Sequence, residues 1–297
     1  PRYRYWLETV VPRGANIIDL VMRPVDRRMI YEPGTFVFLR VPDMEGQQKE
    51  LHPFSISSTP VDRGLRVSIR TVGGFTRRLP SLDLGTQLDV YGPFGGFTSH
   101  RFAHFRRIVC IGAGIGITPF LGMLAFELSN HDFRRIWLYY IARDEQDAVY
   151  DSEIRESYLE AESYIEYELW LTARRGRITA AQIAADIAPL DDYAVMLCGQ
   201  QSFIWDIARQ FRALGVPRDR IITGVVTDVP LLSLVVVGWV LWNRILGWND
   251  LFVAPGGRGS GAADELIAAC RERCRAHGAA VLTWRTALDN HRAQAVY

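Results

Sequence analysis

A change of period near Arg107 constrains this chain more than any other feature. Before it lie short runs rich in β-branched and aromatic residues: Tyr3–Val10, Ala15–Met22, Thr35–Val41, Leu65–Thr71 and Gln87–Tyr91. Gly, Pro and Asp separate them, and strands spaced this way predict an antiparallel barrel over residues 1–100. After Arg107, apolar runs alternate with helical stretches. Ile108–Ile111 leads through a glycine-rich turn to a helix over Thr118–Leu128; strand Arg135–Ile141, helical Ser152–Glu162, then Ile165–Leu171, Thr179–Ile187, Ala194–Cys198 and helix Gln201–Leu214 come after it. That alternation predicts a parallel α/β sheet of dinucleotide-binding type over 101–223.

Composition narrows the function classes. Of 297 residues, 48% are apolar and 23% charged, which suits ordinary globular domains, about two or three of them. The net charge of +1 leaves no electrostatic footprint for nucleic acid. Lys49 is the only lysine, so almost all positive charge is arginine, and a single Arg carries less weight as a signal. The 4 cysteines form no C-x-x-C pair, so neither a disulfide framework nor a metal site is expected. The chain opens at Pro1 without Met or a signal sequence, as a piece of something longer would. The apolar run Val229–Trp242 is interrupted by Pro230, Ser233 and Gly238 and falls short of the ~20 residues a bilayer demands; it reads as a buried strand or pair of strands.

Two clusters in the barrel half carry chemistry. In His52-Pro53-Phe54-Ser55-Ile56-Ser57-Ser58, an aromatic beside a hydroxyl at a strand end suits a flavin ring, one packing on its face and the other bonding its hydride-accepting nitrogen. Alone, the run is equally a core Phe in a strand. In Arg70-Thr71-Val72-Gly73-Gly74-Phe75-Thr76-Arg77-Arg78-Leu79, the glycines permit close backbone approach, and Thr76 with backbone N–H groups suits a pyrophosphate beside the Arg70 guanidinium. Alone, that run is equally a turn with solvated arginines. Tyr91-Gly92-Pro93-Phe94-Gly95-Gly96-Phe97 reads as a turn closing the barrel.

Two clusters lie in the α/β half. Gly112-Ala113-Gly114-Ile115-Gly116-Ile117-Thr118-Pro119 follows a strand and opens a helix, where backbone N–H groups can meet a dinucleotide pyrophosphate. Its G-x-G-x-G spacing is not the G-x-G-x-x-G of Rossmann dehydrogenases. Cys198-Gly199-Gln200 ends a later strand. Arg143, Arg174, Arg175 and Arg177 are the cationic candidates for a ribose 2′-phosphate.

Taken together, residues 1–223 resemble the ferredoxin–NADP reductase superfamily, and within it the ferric reductase and NADPH oxidase branch. The H-P-F-S-I-S-S run is similar to that branch's flavin motif and I-R-T-V-G-G-F-T-R-R-L to its pyrophosphate motif; G-x-G-x-G-x-T-P matches its nicotinamide motif. The resemblance implies FAD, held by His52, Pro53, Phe54, Ser55, Arg70, Gly73 and Thr76. It implies NADPH, with NADH possible, held by Gly112, Gly114, Gly116, Thr118, Pro119, Arg143, Arg174, Arg177, Cys198 and Gly199. Ser55 and Cys198 are the implied catalytic pair, Ser55 near the reactive flavin nitrogen and Cys198 near the nicotinamide. Gln200 departs from the family's Pro, and the aromatic terminus expected after Arg220–Thr223 is missing, Gly224-Val225-Val226-Thr227-Asp228 standing there instead.

Residues 224–297 resemble the second half of a GCN5-related N-acetyltransferase: Arg258-Gly259-Ser260-Gly261-Ala262-Ala263 before a helix over Ala262–His277, strand Ala279–Thr286, then Asn290 and Tyr297. The resemblance implies acetyl-CoA contacts at Arg258, Gly259, Gly261, Ala263, Asn290 and Tyr297. Half a domain exposes sheet edges, so a fusion, a truncated gene or an artefact of sequence assembly is expected rather than a second working enzyme. The function expected for the chain is hydride transfer from NAD(P)H to FAD with electrons passing on to heme, ferric iron or oxygen. The acceptor would be a heme-containing membrane domain upstream, placing the chain on the cytoplasmic face of a membrane, or else a separate carrier protein served by a cytoplasmic reductase. An acetyl-CoA-binding transferase is the alternative of another class.

Overall fold

The computed structural model describes residues 1–41, 51–130, 134–159, 164–187, 192–225, 234–235 and 252–253. Its first compact unit comprises residues 1–48 and 52–229, and the second residues 49–51 and 230–297.

The first unit begins with six antiparallel strands: β1 (Arg2–Pro12), β2 (Ile17–Pro24), β3 (Phe36–Arg40), β4 (His52–Ser55), β5 (Leu65–Arg70) and β6 (Gln87–Phe94). They are ordered β4-β3-β6-β1-β2-β5. The edges meet where Ile56 bridges Val67 and the Ser57 N–H donates to the Arg66 carbonyl over 2.9 Å, so the sheet curls into a barrel. Alternate side chains, among them Leu7, Leu20, Val37, Leu39, Val67, Leu88 and Val90, fill its core.

Five parallel strands come next: β7 (Arg107–Ala113), β8 (Arg135–Ala142), β9 (Ile165–Leu171), β10 (Ala194–Gly199) and β11 (Ile221–Val225). Helices α1 (Thr118–Asn130), α2 (Asp151–Ile154), α3 (Thr172–Arg175), α4 (Ala180–Ile187) and α5 (Gln201–Ala213) connect them. Residues alternate between two cores. Ile108, Cys110, Leu138, Tyr140 and Met196 face α1, while Val109, Ile111, Tyr139, Val195 and Leu197 face α4 and α5. Both faces are covered, which is why these strands read as continuous apolar runs. The order β11-β10-β7-β8-β9 reverses direction between β7 and β10. A ligand crevice in such a sheet lies outside the carboxyl ends of the strands flanking that reversal.

The structure corrects several sequence expectations. His52–Ser55 forms a strand in register with Phe36–Leu39, and Phe54 and Ser55 stand at its end as expected. The 91–97 run is not a turn throughout: β6 continues to Phe94, and the chain turns at Gly95, whose φ is +96°. Of the helix expected over Ser152–Glu162, the described part is a single α turn, Asp151–Ile154, followed by a π turn over Arg155–Leu159; residues 160–162 lie outside the described residues.

A polar network joins barrel and parallel sheet. Asp19 on β2 is completely buried. Its carboxylate accepts hydrogen bonds from Arg13 Nε (2.8 Å), Ser68 Oγ (2.6 Å) and Tyr150 Oη (2.7 Å). Glu153 on α2 receives Arg66 Nη1 at 2.7 Å and pairs with Arg13 Nη2 at 2.9 Å. Tyr150 and Glu153 come from the α/β half, and the other four residues from the barrel. A second close contact lies nearby on α1, where a Cβ on Gly122 would fall 2.5 Å from the Ser58 carbonyl oxygen. The helix approaches the barrel so closely because that position carries no side chain.

In the second unit, β12 (Leu234–Val235) pairs antiparallel with β13 (Phe252–Val253). β12 falls inside the apolar run Val229–Trp242, the rest of which lies outside the described residues. The helix over Ala262–His277, the strand over Ala279–Thr286 and the acetyl-CoA candidates Arg258, Gly259, Gly261, Ala263, Asn290 and Tyr297 lie outside the described residues.

Asp19→Ala should destabilise the protein by about 3–5 kcal/mol, because it strips a buried carboxylate from two arginines, a serine and a tyrosine. Denaturant titration checks this; a loss under about 1 kcal/mol would contradict the weight given to the network. Burial also pushes the Tyr31, Tyr140, Tyr150, Tyr158 and Tyr167 hydroxyls above the ordinary 10.0. The folded state then holds protons that the unfolded state releases, so stability is complete below that value and declines as pH rises past it. A denaturation midpoint that stays level from pH 8 through pH 11 would refute this.

Candidate functional site

The flavin candidates sit on the edge strand β4 and the turn after β5. His52, Pro53, Phe54 and Ser55 are all half-buried. His52 and Phe54, two apart on one strand, point to the same face. There the His52 ring stacks on Phe75 with centroids 3.9 Å apart, and Phe54 lies nearly parallel to Phe75 at 6.4 Å. Phe75, almost fully buried, therefore pins the glycine turn against β4. It draws the two barrel clusters into one place, a role that sequence reading did not assign to it. Ser57 and Ser58 are committed to the fold, bonding Ser68 Oγ (2.8 Å) and Tyr31 Oη (2.9 Å). Among the described residues the Ser55 hydroxyl has no such bond, which leaves it available to a ligand.

The turn itself lies open. A Cβ on Gly74 would meet nothing within 4 Å, and one on Gly73 would meet only Thr76 Oγ1 at 3.8 Å. Thr76 Oγ1 accepts the Gly73 N–H at 3.0 Å and holds the turn's shape. These glycines are not demanded by protein packing, so the space beside them suits close approach by something outside the chain. Arg70, half-buried at the end of β5, points toward the other half: a Cβ on Gly114 would stand 3.2 Å from its Nη2.

The second glycine turn has the opposite character. Gly114 has φ +56°, the left-handed region that glycine enters without strain. A Cβ on Gly116 would sit 2.4 Å from the Cys198 carbonyl oxygen, so only glycine lets the turn pack on the end of β10. Thr118 is buried and its hydroxyl donates to the Ile115 carbonyl at 2.9 Å, tightening the turn as α1 begins; Pro119 follows in the first turn of that helix. The motif thus lies at the β7–β10 reversal, beside Cys198 and Gly199.

Cys198 is buried, and burial pushes its thiol up to about 12. It is a neutral, polarizable group at physiological pH, not a thiolate nucleophile. Its Sγ lies 3.3 Å from where a Cβ on Gly224 would be, and the Phe97 ring lies at the same distance from that point. Phe97 and Gly224 were not foreseen as site residues; Phe97 was legible only as part of a turn, and nothing in the sequence marked Gly224. Gln200, in place of the family's Pro, keeps a proline-compatible φ of −66° and stands at the N-cap position of α5.

The structure does not gather the arginine candidates into a bare cationic pocket. Arg174 pairs with Glu145 at 2.5 Å, and Arg143 approaches Asp144 at 4.0 Å. Arg175 pairs with Glu168 and stacks on Trp170. Arg177 lies close enough to Asp206 to help hold that carboxyl below its usual range, after the larger effect of Arg209.

Among the described residues no helix is long and apolar enough to cross a membrane. Residues 4–90 match an FAD-binding domain family, residues 110–209 an oxidoreductase NAD-binding domain family, and residues 205–297 the GNAT acetyltransferase family. Among curated proteins, the chain is 30% identical over 223 residues to the ferredoxin reductase component of 3-ketosteroid-9-alpha-monooxygenase from Rhodococcus rhodochrous, covering 72% of this chain and 62% of that protein. It is 25% identical to flavohemoprotein A of Dictyostelium discoideum, with 74% and 59% covered, and 31% identical to NADPH oxidase 3 of Rattus norvegicus, with 48% and 28% covered. The chain thus spans less than two thirds of each of these relatives. In fold it is similar to the FAD/NAD-binding domain of nitric oxide dioxygenase from Vibrio cholerae, at TM-score 0.65 and 22% identity over 75% of this chain and 98% of that one. A ferredoxin NADP+ reductase from Neisseria gonorrhoeae, with FAD and NADP bound, gives TM-score 0.63 at 16% identity over 75% and 98%. On this fold, then, a match to an FAD-binding domain over residues 4–90 is followed by a match to an oxidoreductase NAD-binding domain over residues 110–209 and by one to the GNAT acetyltransferase family over residues 205–297.

Proposed function

We propose that this chain is an FAD-dependent NAD(P)H oxidoreductase, with residues 1–100 as its FAD domain, 101–223 as its NAD(P)H domain and 224–297 as an appended acetyltransferase-like segment. The observation that carries the reading is the meeting of the two glycine turns: Arg70, beside the open Gly73–Gly74 turn, reaches the nicotinamide-type turn at Gly114.

Bound FAD would supply the chemistry that links a two-electron hydride donor to one-electron acceptors. The chain supplies position and charge. Phe54 offers an aromatic face and Ser55 a hydroxyl to the ring, and His52 and Pro53 complete the strand that carries them. Arg70 sets a fixed positive charge beside a pyrophosphate, and Gly73 and Thr76 shape the turn that receives it. On the other side, Gly112, Gly114 and Gly116 leave backbone N–H groups at the crevice, with Thr118 and Pro119 fixing the helix behind them. Cys198 and Gly199 close the floor of the nicotinamide site; the neutral thiol orients without competing for the hydride. Arg143, Arg174 and Arg177 attend the adenosine ribose, which supports NADPH, with NADH accepted as well.

The electron acceptor is a heme-containing domain on a membrane, with this chain on its cytoplasmic face. The second reading is a cytoplasmic reductase serving a separate carrier protein, which the similarity to the Rhodococcus reductase component favours.

Anaerobic addition of NADPH or NADH to the FAD-loaded protein should bleach the flavin absorbance within a single turnover; absence of bleaching with either would sink the assignment. Gly116→Ala should leave FAD bound while slowing that bleaching at least about tenfold, since the added methyl must push the turn off β10. Wild-type rates in that variant would show that the turn does not hold the nucleotide.

A further inference from the structure

The carboxyl ends of β8 and β9 present the cationic candidates Arg143, Arg174, Arg175 and Arg177 within a balanced set of charges. Arg143 stands by Asp144, Arg174 by Glu145, Arg175 by Glu168 and Arg177 by Asp206. The closest of the pairs facing the loop after β8 is Arg174 Nη2 to Glu145 Oε1, 2.5 Å apart with both side chains more than half exposed. Backbone geometry fixes the two segments together: the Ala173 N–H donates to the Arg143 carbonyl at 2.9 Å, and Asp144 Oδ1 accepts the N–H groups of Gln146 and Asp147, each at 3.1 Å. Glu145 is therefore carried by a turned loop that holds it opposite the arginine.

We infer that Glu145 is a specificity-determining residue for the nicotinamide nucleotide, holding Arg174 in an ion pair that a 2′-phosphate must displace and that a 2′-hydroxyl can leave intact. This rests on the reading of the chain as an NAD(P)H oxidoreductase. The chemistry differs for the two ligands. A ribose hydroxyl donates to a carboxylate and so can use Glu145 as its acceptor without disturbing Arg174. A phosphate has no proton to give at neutral pH; it seeks the guanidinium fork and is repelled by the carboxylate. The exposed pair is loosely held, so it yields to phosphate at a modest cost in affinity instead of barring it. The preference for NADPH over NADH is thereby damped, and both nucleotides serve. Glu145 acts on this choice from the far end of the nucleotide, away from the hydride.

The test compares NADPH with NADH as reductants of the FAD-loaded full chain, and titrates the same chain with adenosine 2′,5′-bisphosphate by calorimetry. Glu145→Gln keeps the side chain's shape and hydrogen-bonding oxygen but releases Arg174. It should raise the NADPH:NADH ratio of kcat/KM and tighten bisphosphate binding, each by about fivefold. Arg174→Ala should lower that ratio below the wild-type value. A Glu145→Gln protein whose ratio and bisphosphate affinity both match wild type overturns the inference. Failure of both nucleotides to reduce the wild-type flavin would instead overturn the oxidoreductase reading, while the bisphosphate titration would still decide the role of Glu145.

Discussion

The buried carboxylate of Asp19 is the interaction on which the rest of the first unit depends. It is a barrel residue with no exposure, and it is saturated by groups from two sources: Arg13 and Ser68 from the barrel, and Tyr150 from the α/β half. A carboxylate so far from water is tolerable only when its lone pairs are occupied by well-aligned donors. Separating the halves would take away Tyr150 and, with it, Glu153, which the two arginines also need. Apolar packing alone allows sliding; charged hydrogen bonds of fixed length do not, so the seam has one register.

That register matters because the candidate site is assembled across the seam. Phe54, Ser55 and the Gly73–Gly74 turn belong to the barrel; the Gly112–Gly116 turn and Cys198 belong to the parallel sheet. Neither half holds a complete site. The two glycine turns also use their glycines for different reasons. Gly116 is demanded by the protein, because the Cys198 carbonyl occupies the space a methyl would need. Gly74 faces open space, with nothing of the protein near enough to demand a glycine there. One turn is packed against the sheet, and the other is open.

Much of this was legible in the sequence. The switch of period near Arg107 separated barrel from parallel sheet, because strand and helix periods cannot be confused over such lengths. The glycine motifs were legible because their spacing encodes backbone geometry. Strand β4 was harder to see: its Pro53 and a length of only four residues hid it, and only its pairing with β3 shows it as a strand. The run at 91–97 looked like a turn because Gly and Pro crowd it, yet pairing with β1 and β3 keeps it extended to Phe94. Over residues 152–159 the helical pattern did not produce a regular α-helix, since Tyr150 and Glu153 are held by barrel residues and Tyr158 is drawn into the core.

The sequence by itself determined the two fold classes, their order and the motifs that mark each nucleotide site, because all of these are local: periods of two and 3.6, and glycines at fixed spacing. The tertiary structure alone decided which groups meet. Phe75 joins His52 and Phe54, Phe97 comes beside Cys198 and Gly224, and Arg174 acquires Glu145 from another part of the chain. No local pattern encodes such meetings. They depend on strand order and on the register of one domain against the other, which long-range contacts such as those of Asp19 fix.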